Sequence, residues 1–533
     1  GFFAFVWGDA DKDRPLHELG VLPWWTAPDM RAAFWRPASA LTHLLDHRLW
    51  PDLAWLQHVH SLAWMGLLAW LAARLYRQVM GPDGPGAEIA GLAAILYAVD
   101  DAHAMPMFWI ANRNAVVGGV LATTTLLAHF AWRRAADRSR QAAWAAVAHA
   151  CLLGALLASE GALSVTAYLF AAAVVLETEP LGRRLAGLAG YAAIVFGWRL
   201  AYDAQGYGAA GSNAYLDPGA DPVGLVGRLF VQVPVYLAAL WAGPPSEVFT
   251  ALSGGGRTVY LAWSIAVVAL VLAALAPILR RDRRARFWLL ALVVALVPAC
   301  AIWPMDRIFV FAGIGGTALV AMLVHAWEGP RWRRFVAGAF VVLHLIVTPV
   351  LLPVRIVASS LAFEALTVTA ATAPLPDRAG ELTMIVVDDP TMLGSQYVPL
   401  ERWERGLDAP ATLALVAPPS LVSLPMRFHR LDATTLDVDI EGRWQWLLFR
   451  DATPFQAGER IPMQGWEVEV LEVTSGLPTR IRLRFDRPLE DPSYVWLEYA
   501  QGSLRPPRQP RLVPWRPPAI GSSVMLNAAA PGS

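Results

Sequence analysis

The sequence predicts a mainly α-helical membrane protein with many spans, followed by a small antiparallel β domain at the C-terminal end. Of 533 residues, 56% are hydrophobic and 16% are charged, and the mean hydropathy is +0.42. Soluble globular chains carry about 25% charged residues. The deficit is concentrated in long apolar runs before about residue 360, whereas the later chain has the alternating texture of strands.

Ten apolar segments are long enough, or nearly so, to cross about 30 Å of hydrocarbon at 1.5 Å per residue. The chain begins with Gly1, so we expect one further span before it, about eleven in all. The ten predicted spans are 54–76, 87–101, 107–131, 141–158, 160–177, 185–202, 258–279, 286–302, 308–327 and 334–357.

Arginine clusters predict which connections face the cytoplasm, because short loops rich in Lys or Arg stay inside. The loops 8–52, 99–106, 159–161, 203–257 and 303–306 lack such clusters and are predicted to face outward. Alternation then requires that 223–242, which Arg228, Gln232 and Pro234 interrupt, does not cross fully. The clusters lie at 74–77, 133–140, 183–184, 280–286 and 331–334.

This topology predicts a protein of the cytoplasmic (inner) membrane whose C-terminal domain is periplasmic. We expect a first external loop at 1–52, with interfacial helices anchored by aromatic residues such as Trp24 and Trp25. The transmembrane domain would be 53–358, followed by a collar helix at 359–380. Residues 381–533 would form the β-rich domain, with a proline-rich end at 505–518.

Seven runs in this last region alternate between apolar and polar residues, which is typical of strands. The predicted strands are Leu382–Val387, Thr412–Val416, Thr435–Ile440, Trp444–Phe449, Trp466–Val473, Arg480–Phe485 and Tyr494–Tyr499.

Composition excludes several classes of function. The formal net charge of +0 gives no field for nucleic acid, and both cysteines lie in apolar segments, so the tail has no disulfide. The run HLLDH at 43–47 matches a metal-ligand spacing only loosely. We therefore expect neither a nucleic-acid partner nor a cofactor; a divalent metal is not indicated.

Polar residues collect at the predicted outer ends of the spans, where charges at membrane depth are costly and suggest function. The loop DDAHAMPMFWIANRN begins with Asp100, Asp101 and His103 and ends with Asn112 and Arg113. Arg113 is predicted to point back toward the two acids. The alternative is a purely structural ion pair.

Five further residues lie on the same predicted face. Glu160 sits in a tight turn, Arg199 and Tyr202 close one span, and Asp306 with Arg307 opens another. Each has a structural alternative: Glu160 can cap a helix, Arg199 can reach the headgroups, and Asp306–Arg307 can be an interfacial pair. Acids and arginines converging on one face favour a substrate with an anionic group at the interface.

The segments FWRPASALTHLLDHRLW, LYAVDDAHAMPMFWIANRN and ASEGALSVTAYLF, in this order, resemble the membrane half of GT-C-type glycosyltransferases. They are most similar to bacterial, family-39-like relatives of protein O-mannosyltransferases and lipid A aminoarabinose transferases. The resemblance covers roughly residues 1–350. It implies inverting transfer of a sugar from a polyprenyl-phosphate donor to a glycan, lipid or protein acceptor outside the cytoplasmic membrane.

The resemblance also implies roles for particular side chains. Asp100 and Asp101 correspond to the family's second-loop acid. Asp9 or Asp11 would be the first-loop acid that serves as general base, unless that acid lies upstream of Gly1. The predicted ligands of the donor and its phosphate are Arg36, His103, Asn112, Arg113, Glu160, Arg199, Tyr202 and Arg307.

Two other functions stay open. A flippase or transporter for lipid-linked saccharides would carry charges near mid-depth and an internal repeat of spans, and neither is visible in the sequence. A catalytically inactive GT-C-like scaffold would use the β domain to bind a partner.

Overall fold

The computed structural model describes residues 3–211, 214–389, 393–417, 425–441, 450, 453–500 and 511–526. The chain folds into two compact units. The helical unit consists mainly of Ala33–Gly208 and Leu216–Ser359. The β unit consists mainly of Phe5–Ala32 and Ser360–Ser533. Much of the predicted first loop therefore belongs to the same unit as the C-terminal region.

Six helical stretches within the described residues are long and apolar enough to cross a membrane, by length and composition. This confirms the predicted multi-pass helical class. They are Ile110–Arg134, Leu181–Ala204, Pro222–Ala242, Gly255–Arg281, Asp306–His325 and Arg331–Ala371, and two shorter apolar stretches are Gly84–Ala98 and Glu160–Leu176.

Some of these stretches join neighbouring α, 3₁₀ and π segments. The α-helices of the helical unit are Pro37–Leu49, Ala54–Met80, Gly84–Ala98, Ala104–Phe108, Arg113–Arg134, Arg138–Leu156, Val165–Ala171, Leu181–Ala186, Ala189–Ala204, Pro222–Ala242, Ser246–Ala251, Gly255–Arg281, Arg283–Ala299, Phe309–His325 and Arg331–Val342. The helix Thr348–Ala371 begins in this unit, and its residues from Ser360 belong to the β unit. The 3₁₀ turns are Asp101–His103, Ile110–Asn112, Glu160–Ser164 and Asp306–Ile308, and the π turns are Ala172–Leu176 and Leu343–Val347.

The helix Phe309–His325 lies at the centre of this unit, since every residue from Phe309 to Leu323 is buried. Small residues permit close packing around it. A Cβ at Gly316 would lie 2.2 Å from the side chain of Leu240. Outer helices instead expose large apolar side chains, such as Phe230 at 77% and Phe335 at 76%. Such surfaces suit contact with lipid rather than water.

Contacts sort the helix ends into two groups. At one end, Arg133 pairs with Glu177 at 3.1 Å, and Arg283 donates to the carbonyl of Val175 at 2.6 Å. We call this the arginine end. The connections that were predicted to face outward meet at the opposite end, described below. Which of the two ends faces the cytoplasm stays a prediction.

The helix Pro222–Ala242 is long enough for a span, yet both its flanks contact one connection, residues 299–306. Just before the helix, the amide of Leu216 donates to the carbonyl of Ala301. Near the start of the helix, Arg228 donates to the same carbonyl at 3.5 Å. After it, the amide of Ser246 donates to Asp306 at 2.9 Å. Both flanks of the helix thus contact one connection, and the prediction that 223–242 does not cross fully stays a prediction.

The β unit contains the predicted antiparallel domain as a six-stranded sheet. Its core strands, Trp466–Thr474 and Leu477–Phe485, form a hairpin through Ser475 and Gly476, both of which have positive φ. In spatial order the strands are Ser523–Leu526, Met426–Arg430, Thr435–Ile440, Leu477–Phe485, Trp466–Thr474 and Arg460–Met463.

A second sheet of four strands is mixed, which the sequence analysis did not predict. Thr383–Val386 pairs in parallel with Thr412–Leu415 and with Tyr494–Ala500. The first pair is joined by the helix Leu393–Glu404, as a parallel crossover requires. The fourth strand is Arg511–Pro514, and the predicted strand Trp444–Phe449 lies outside the described residues.

The N-terminal segment is part of this β unit, with the helix Ala10–Glu18 and the small sheet Ala4–Trp7, Arg31–Ala33 and Gly208–Ala210. The interfacial anchoring predicted for Trp24 and Trp25 is wrong, because both are buried in the core of the unit, at 2% and 0% exposure. The indole of Trp24 donates to the carbonyl of Val416 at 3.1 Å.

Gly20 is where this segment meets the mixed sheet most closely. Its φ is +73°, and a Cβ there would lie 1.6 Å from the carbonyl oxygen of Leu413. Gly20→Ala is therefore expected to lower the free energy of unfolding of the β unit by about 3 kcal/mol or more, through backbone strain together with the clash. Thermal unfolding of the purified protein measures it.

Gly465→Ala is the matched control, because Gly465 has a φ of +80° but nothing within 4 Å of the added carbon. The control should lose only the conformational term, about 1 kcal/mol. Equal losses in both variants would show that the contact between Gly20 and Leu413 does not hold the segment.

Candidate active site

Four carboxylates gather around one guanidinium at the end of the helical unit opposite the arginine end. Arg355 Nη1 lies 2.7 Å from Asp101 Oδ2 and 3.0 Å from Asp306 Oδ2, and its Nη2 lies 3.6 Å from Glu247 Oε1. Asp100 is buried directly before Asp101 in the chain, where the charges of Asp101, Asp306 and Arg355 act on its carboxyl group. We call these five residues the acidic cluster.

Local structure fixes each acid. The helix Gly84–Ala98 ends just before Asp100, which caps the following turn by accepting from the amide of Ala102 at 3.0 Å. Asp306 begins the central helical stretch and accepts from the amide and hydroxyl of Ser246, at 2.9 and 2.8 Å. Glu247 in turn accepts from the amide of Asp306 at 2.9 Å. Three separate connections therefore converge on Arg355.

Two acids of the cluster have raised pKa values. Burial, and then the charge of Asp101, raises the pKa of Asp100 to about 7. Burial, and then the charge of Asp306, raises the pKa of Glu247 to about 7. Four carboxylates share a single arginine within the cluster, so protons are gained and lost near neutral pH. A carboxylate of this kind is suited to general acid–base chemistry.

A second group surrounds Glu160. Arg36 Nε donates to Glu160 Oε2 at 2.7 Å, and the hydroxyl of Tyr202 donates to Glu160 Oε1 at 3.4 Å. The guanidinium of Arg36 lies 4.4 Å from the ring centroid of Phe34. Glu160 thus binds a cation from another segment instead of serving only as a helix cap. We call this group the Glu160 site.

The Glu160 site and the acidic cluster lie at the same end of the central helix. A Cβ at Gly161 would lie 3.1 Å from the ring of Phe311, five residues after Asp306. Residues of the first loop, of the loop that begins with Asp100 and of two later connections therefore lie together within the helical unit. All of these connections were predicted to face outward.

Two other predicted phosphate ligands differ in availability. Arg199 pairs with Asp203 at 2.8 Å and with Asp217 at 3.1 Å, so its charge is already neutralised. Arg307 lies 5.8 Å from the ring centroid of Trp109 and makes no ion pair with a carboxylate among the residues that the structure describes. Arg307 is thus the better candidate to bind an anion. Its neighbour Asp306 pairs with Arg355 instead.

The predicted partner of Arg113 is wrong. Arg113 is completely buried, and its Nη1 lies 2.5 Å from Asp46 Oδ2 instead of reaching the acidic cluster. Its Nε donates to Ser61, and Asp46 also pairs with His60 Nδ1 at 2.6 Å. The cause is packing: the helix that starts at Arg113 faces Ala54–Met80 and contacts Pro37–Leu49. Arg113 thus pairs with an acid of the first loop instead of with Asp100 or Asp101.

His103 and Asn112 are buried, at 1% and 6% exposure. The amide nitrogen of Asn112 makes no hydrogen bond within the described residues, whereas the ring of His103 interacts with the backbone of Tyr97. Burial lowers the pKa of His103 to about 4, so its ring is neutral at physiological pH. Buried polar atoms without partners are uncommon in proteins, and the amide nitrogen of Asn112 can serve a polar ligand or water.

The predicted first-loop acids have local roles in the β unit. Asp9 caps the helix Ala10–Glu18 by accepting from the amides of Asp11 and Lys12, at 3.0 and 3.2 Å. Asp11 pairs with Arg14 at 2.5 Å, and its side chain is 85% exposed.

Within the described part of the chain, no group of three or more His, Cys, Asp or Glu side chains is arranged to hold a metal ion. The acids of the cluster are gathered around a guanidinium instead.

The sequence matches no protein-family profile and has no significant similarity to a curated protein. Among solved structures, the chain is similar to the archaeal oligosaccharyltransferase AglB from Archaeoglobus fulgidus, determined in complex with an inhibitory peptide and a dolichol-phosphate. The identity is 14% and the TM-score is 0.37. The match covers 75% of this chain and 60% of that chain, less than two thirds of the archaeal protein.

Proposed function

We propose that this protein is a membrane glycosyltransferase that moves a sugar from a polyprenyl-phosphate donor to an acceptor hydroxyl at the outer face of the cytoplasmic membrane. The observation that carries the proposal is the acidic cluster, in which a buried Asp100 with a pKa of about 7 lies at a helix end beside further acids. The sequence resemblance over residues 1–350 supplies the reaction class.

In this proposal Asp100 is the general base. The acceptor hydroxyl attacks the anomeric carbon of the donor, and its proton passes to the carboxylate of Asp100. The new carbon–oxygen bond forms as the bond from the anomeric carbon to the phosphate oxygen breaks, so the phosphate leaves with the electron pair. Attack from the opposite face inverts the anomeric configuration. Asp101 and Asp306, which Arg355 binds, lie beside the base.

The leaving phosphate gains negative charge, which a cation must stabilise. We assign this role to Arg307, because its guanidinium has no carboxylate partner among the described residues. The Glu160 site and the unpaired amide nitrogen of Asn112 supply hydrogen-bonding groups for sugar hydroxyls, beside the neutral ring of His103.

The experiment is transfer of labelled sugar from polyprenyl-phosphate donors by the purified protein in vesicles. Arg307→Gln is expected to reduce kcat/KM for the donor by about 10- to 100-fold, since hydrogen bonds to charged groups contribute about 1.5–3 kcal/mol. Arg199→Gln is the control, because Arg199 is already paired with two acids, and it should lose far less.

Two results would contradict the proposal. Movement of lipid-linked sugar between leaflets, without transfer to any acceptor, would identify a flippase. Donor binding with no turnover for any sugar or acceptor class would identify an inactive scaffold.

A further inference from the structure

The arginine end of the helical unit contains a cleft of about 590 Å³ that the proposed transfer reaction does not use. Its lining includes Glu177, Arg184, Arg283 and Arg286. It lies at the far end of the helical stretch that begins at Glu160, about 24 Å along the axis at 1.5 Å per residue. The cleft is therefore separate from the acidic cluster.

Three guanidiniums and one carboxylate line this cleft, and the carboxylate is already neutralised. Glu177 pairs with Arg133 at 3.1 Å and with His129 at 3.3 Å. The positive charge of Arg184, Arg283 and Arg286 is thus left without a counter-ion inside the cleft. An anion there would meet attraction that no carboxylate of the cleft cancels.

The three arginines have different amounts of hydrogen-bonding capacity left. Arg283 donates to the carbonyl of Val175 through Nε and Nη2, at 3.0 and 2.6 Å. Arg184 donates through Nη1 to the carbonyls of Ala173 and Glu177, but its Nε is buried and has no acceptor among the described residues. Arg286 makes no ion pair with any described acid. Two guanidiniums therefore have donors free for a ligand.

The position of the cleft indicates the chemical class of its ligand. Apolar helical stretches end or begin around it: one ends at Leu176, one begins at Leu181, and the helix Arg283–Ala299 begins at its arginines. Lipid headgroups lie at the depth where such helices leave the hydrocarbon. The N-terminus of Arg283–Ala299 adds partial positive charge. Guanidiniums fit the paired oxygens of a phosphate group.

We propose that this cleft binds the phosphate of an anionic phospholipid headgroup at the arginine-rich membrane face. The test compares the Tm of the full-length protein in neutral detergent with added phosphatidylglycerol, phosphatidylcholine or inorganic phosphate. Phosphatidylglycerol is expected to raise the Tm by a few degrees, and phosphatidylcholine should have a much smaller effect. Native mass spectrometry on the same samples counts the lipids that remain bound.

The variants are Arg184→Gln and Arg286→Gln, and the second avoids loss of the carbonyl contacts that Arg184 makes. Controls are Arg138→Gln and Arg331→Gln, which change exposed arginines in the first turns of other helices at this end. Loss of the phosphatidylglycerol effect in the cleft variants alone supports the proposal. A phosphate effect with the same variant dependence, without a lipid effect, would assign the cleft to free phosphate and overturn the lipid source. Equal responses in cleft and control variants would overturn the site. None of these outcomes depends on transferase activity.

Discussion

Asp100→Asn is expected to slow sugar transfer by about 10²–10⁴-fold, the usual contribution of a positioned general base. Asn keeps the size of the side chain and can still accept from the amide of Ala102, so the turn Asp101–His103 should persist. What is lost is the ability to take a proton. The measurement is kcat and kcat/KM with a polyprenyl-phosphate sugar in vesicles, at equal amounts of folded protein.

Asp83→Asn is the matched control, because Asp83 is exposed at the other end of the same helix and makes no capping hydrogen bond. It should transfer sugar at the wild-type rate. A rate for Asp100→Asn within a few-fold of wild type would remove Asp100 from the mechanism and turn attention to Glu247, whose pKa is also raised to about 7.

The wild-type pH profile provides a second readout for Asp100. A base acts only when deprotonated, so kcat/KM should rise as pH increases through about 7, where Asp100 loses its proton in the folded protein. The Asn variant should lack this limb. Exposed carboxylates titrate near pH 4 and would produce no change in this range.

The same shift makes stability depend on pH. Because the folded state holds the Asp100 proton more tightly than the unfolded state, the free energy of unfolding should fall as pH rises from about 4 to about 7. The pKa change from 3.8 to about 7 corresponds to on the order of 4 kcal/mol. Asp100→Asn should therefore be more stable than wild type at pH 8, with a smaller difference at pH 5.

The sequence predicted the helical class and most strands because those signals are local. Apolar length identifies a span, and period-two alternation identifies Thr435–Ile440 with its observed bounds. Long-range packing was not predictable from such signals. Nothing local in the first loop showed that Trp24 packs beneath the strand that ends at Leu415. Its aromatic residues suit a membrane interface and a protein core equally well.

The candidate site likewise contains residues that the sequence indicated and contacts that it could not predict. Charges at helix ends drew attention to Asp100, Asp101, Glu160 and Asp306, and the structure assembles them at one end. Sequence proximity suggested the wrong partner for Arg113, because the true partner, Asp46, lies 67 residues away. Arg355 was missed, although an arginine inside a long apolar helix is the kind of position that usually marks function.

Arg355→Ala is expected to cause the second large effect, because it leaves Asp101 and Asp306 without their shared cation. The side chains of these two acids are only 16% and 6% exposed. Unpaired acids in such a setting must take up protons or repel one another, and the free energy of unfolding should fall by about 3 kcal/mol. Arg199→Ala is the control; its pairs are more exposed and should contribute below about 1 kcal/mol.

Measurements of kcat/KM distinguish a positioning role of Arg355 from a purely structural one. Removing the cation raises the pKa of the neighbouring acids, so the pH at which Arg355→Ala reaches half its maximal kcat/KM should move above the wild-type value. Arg355→Lys restores the charge but not the planar fork, and should return this midpoint toward wild type while recovering only part of kcat. A variant that merely unfolds more easily would lose rate with an unchanged midpoint. That result would reduce Arg355 to a packing residue with no influence on the pKa of Asp100.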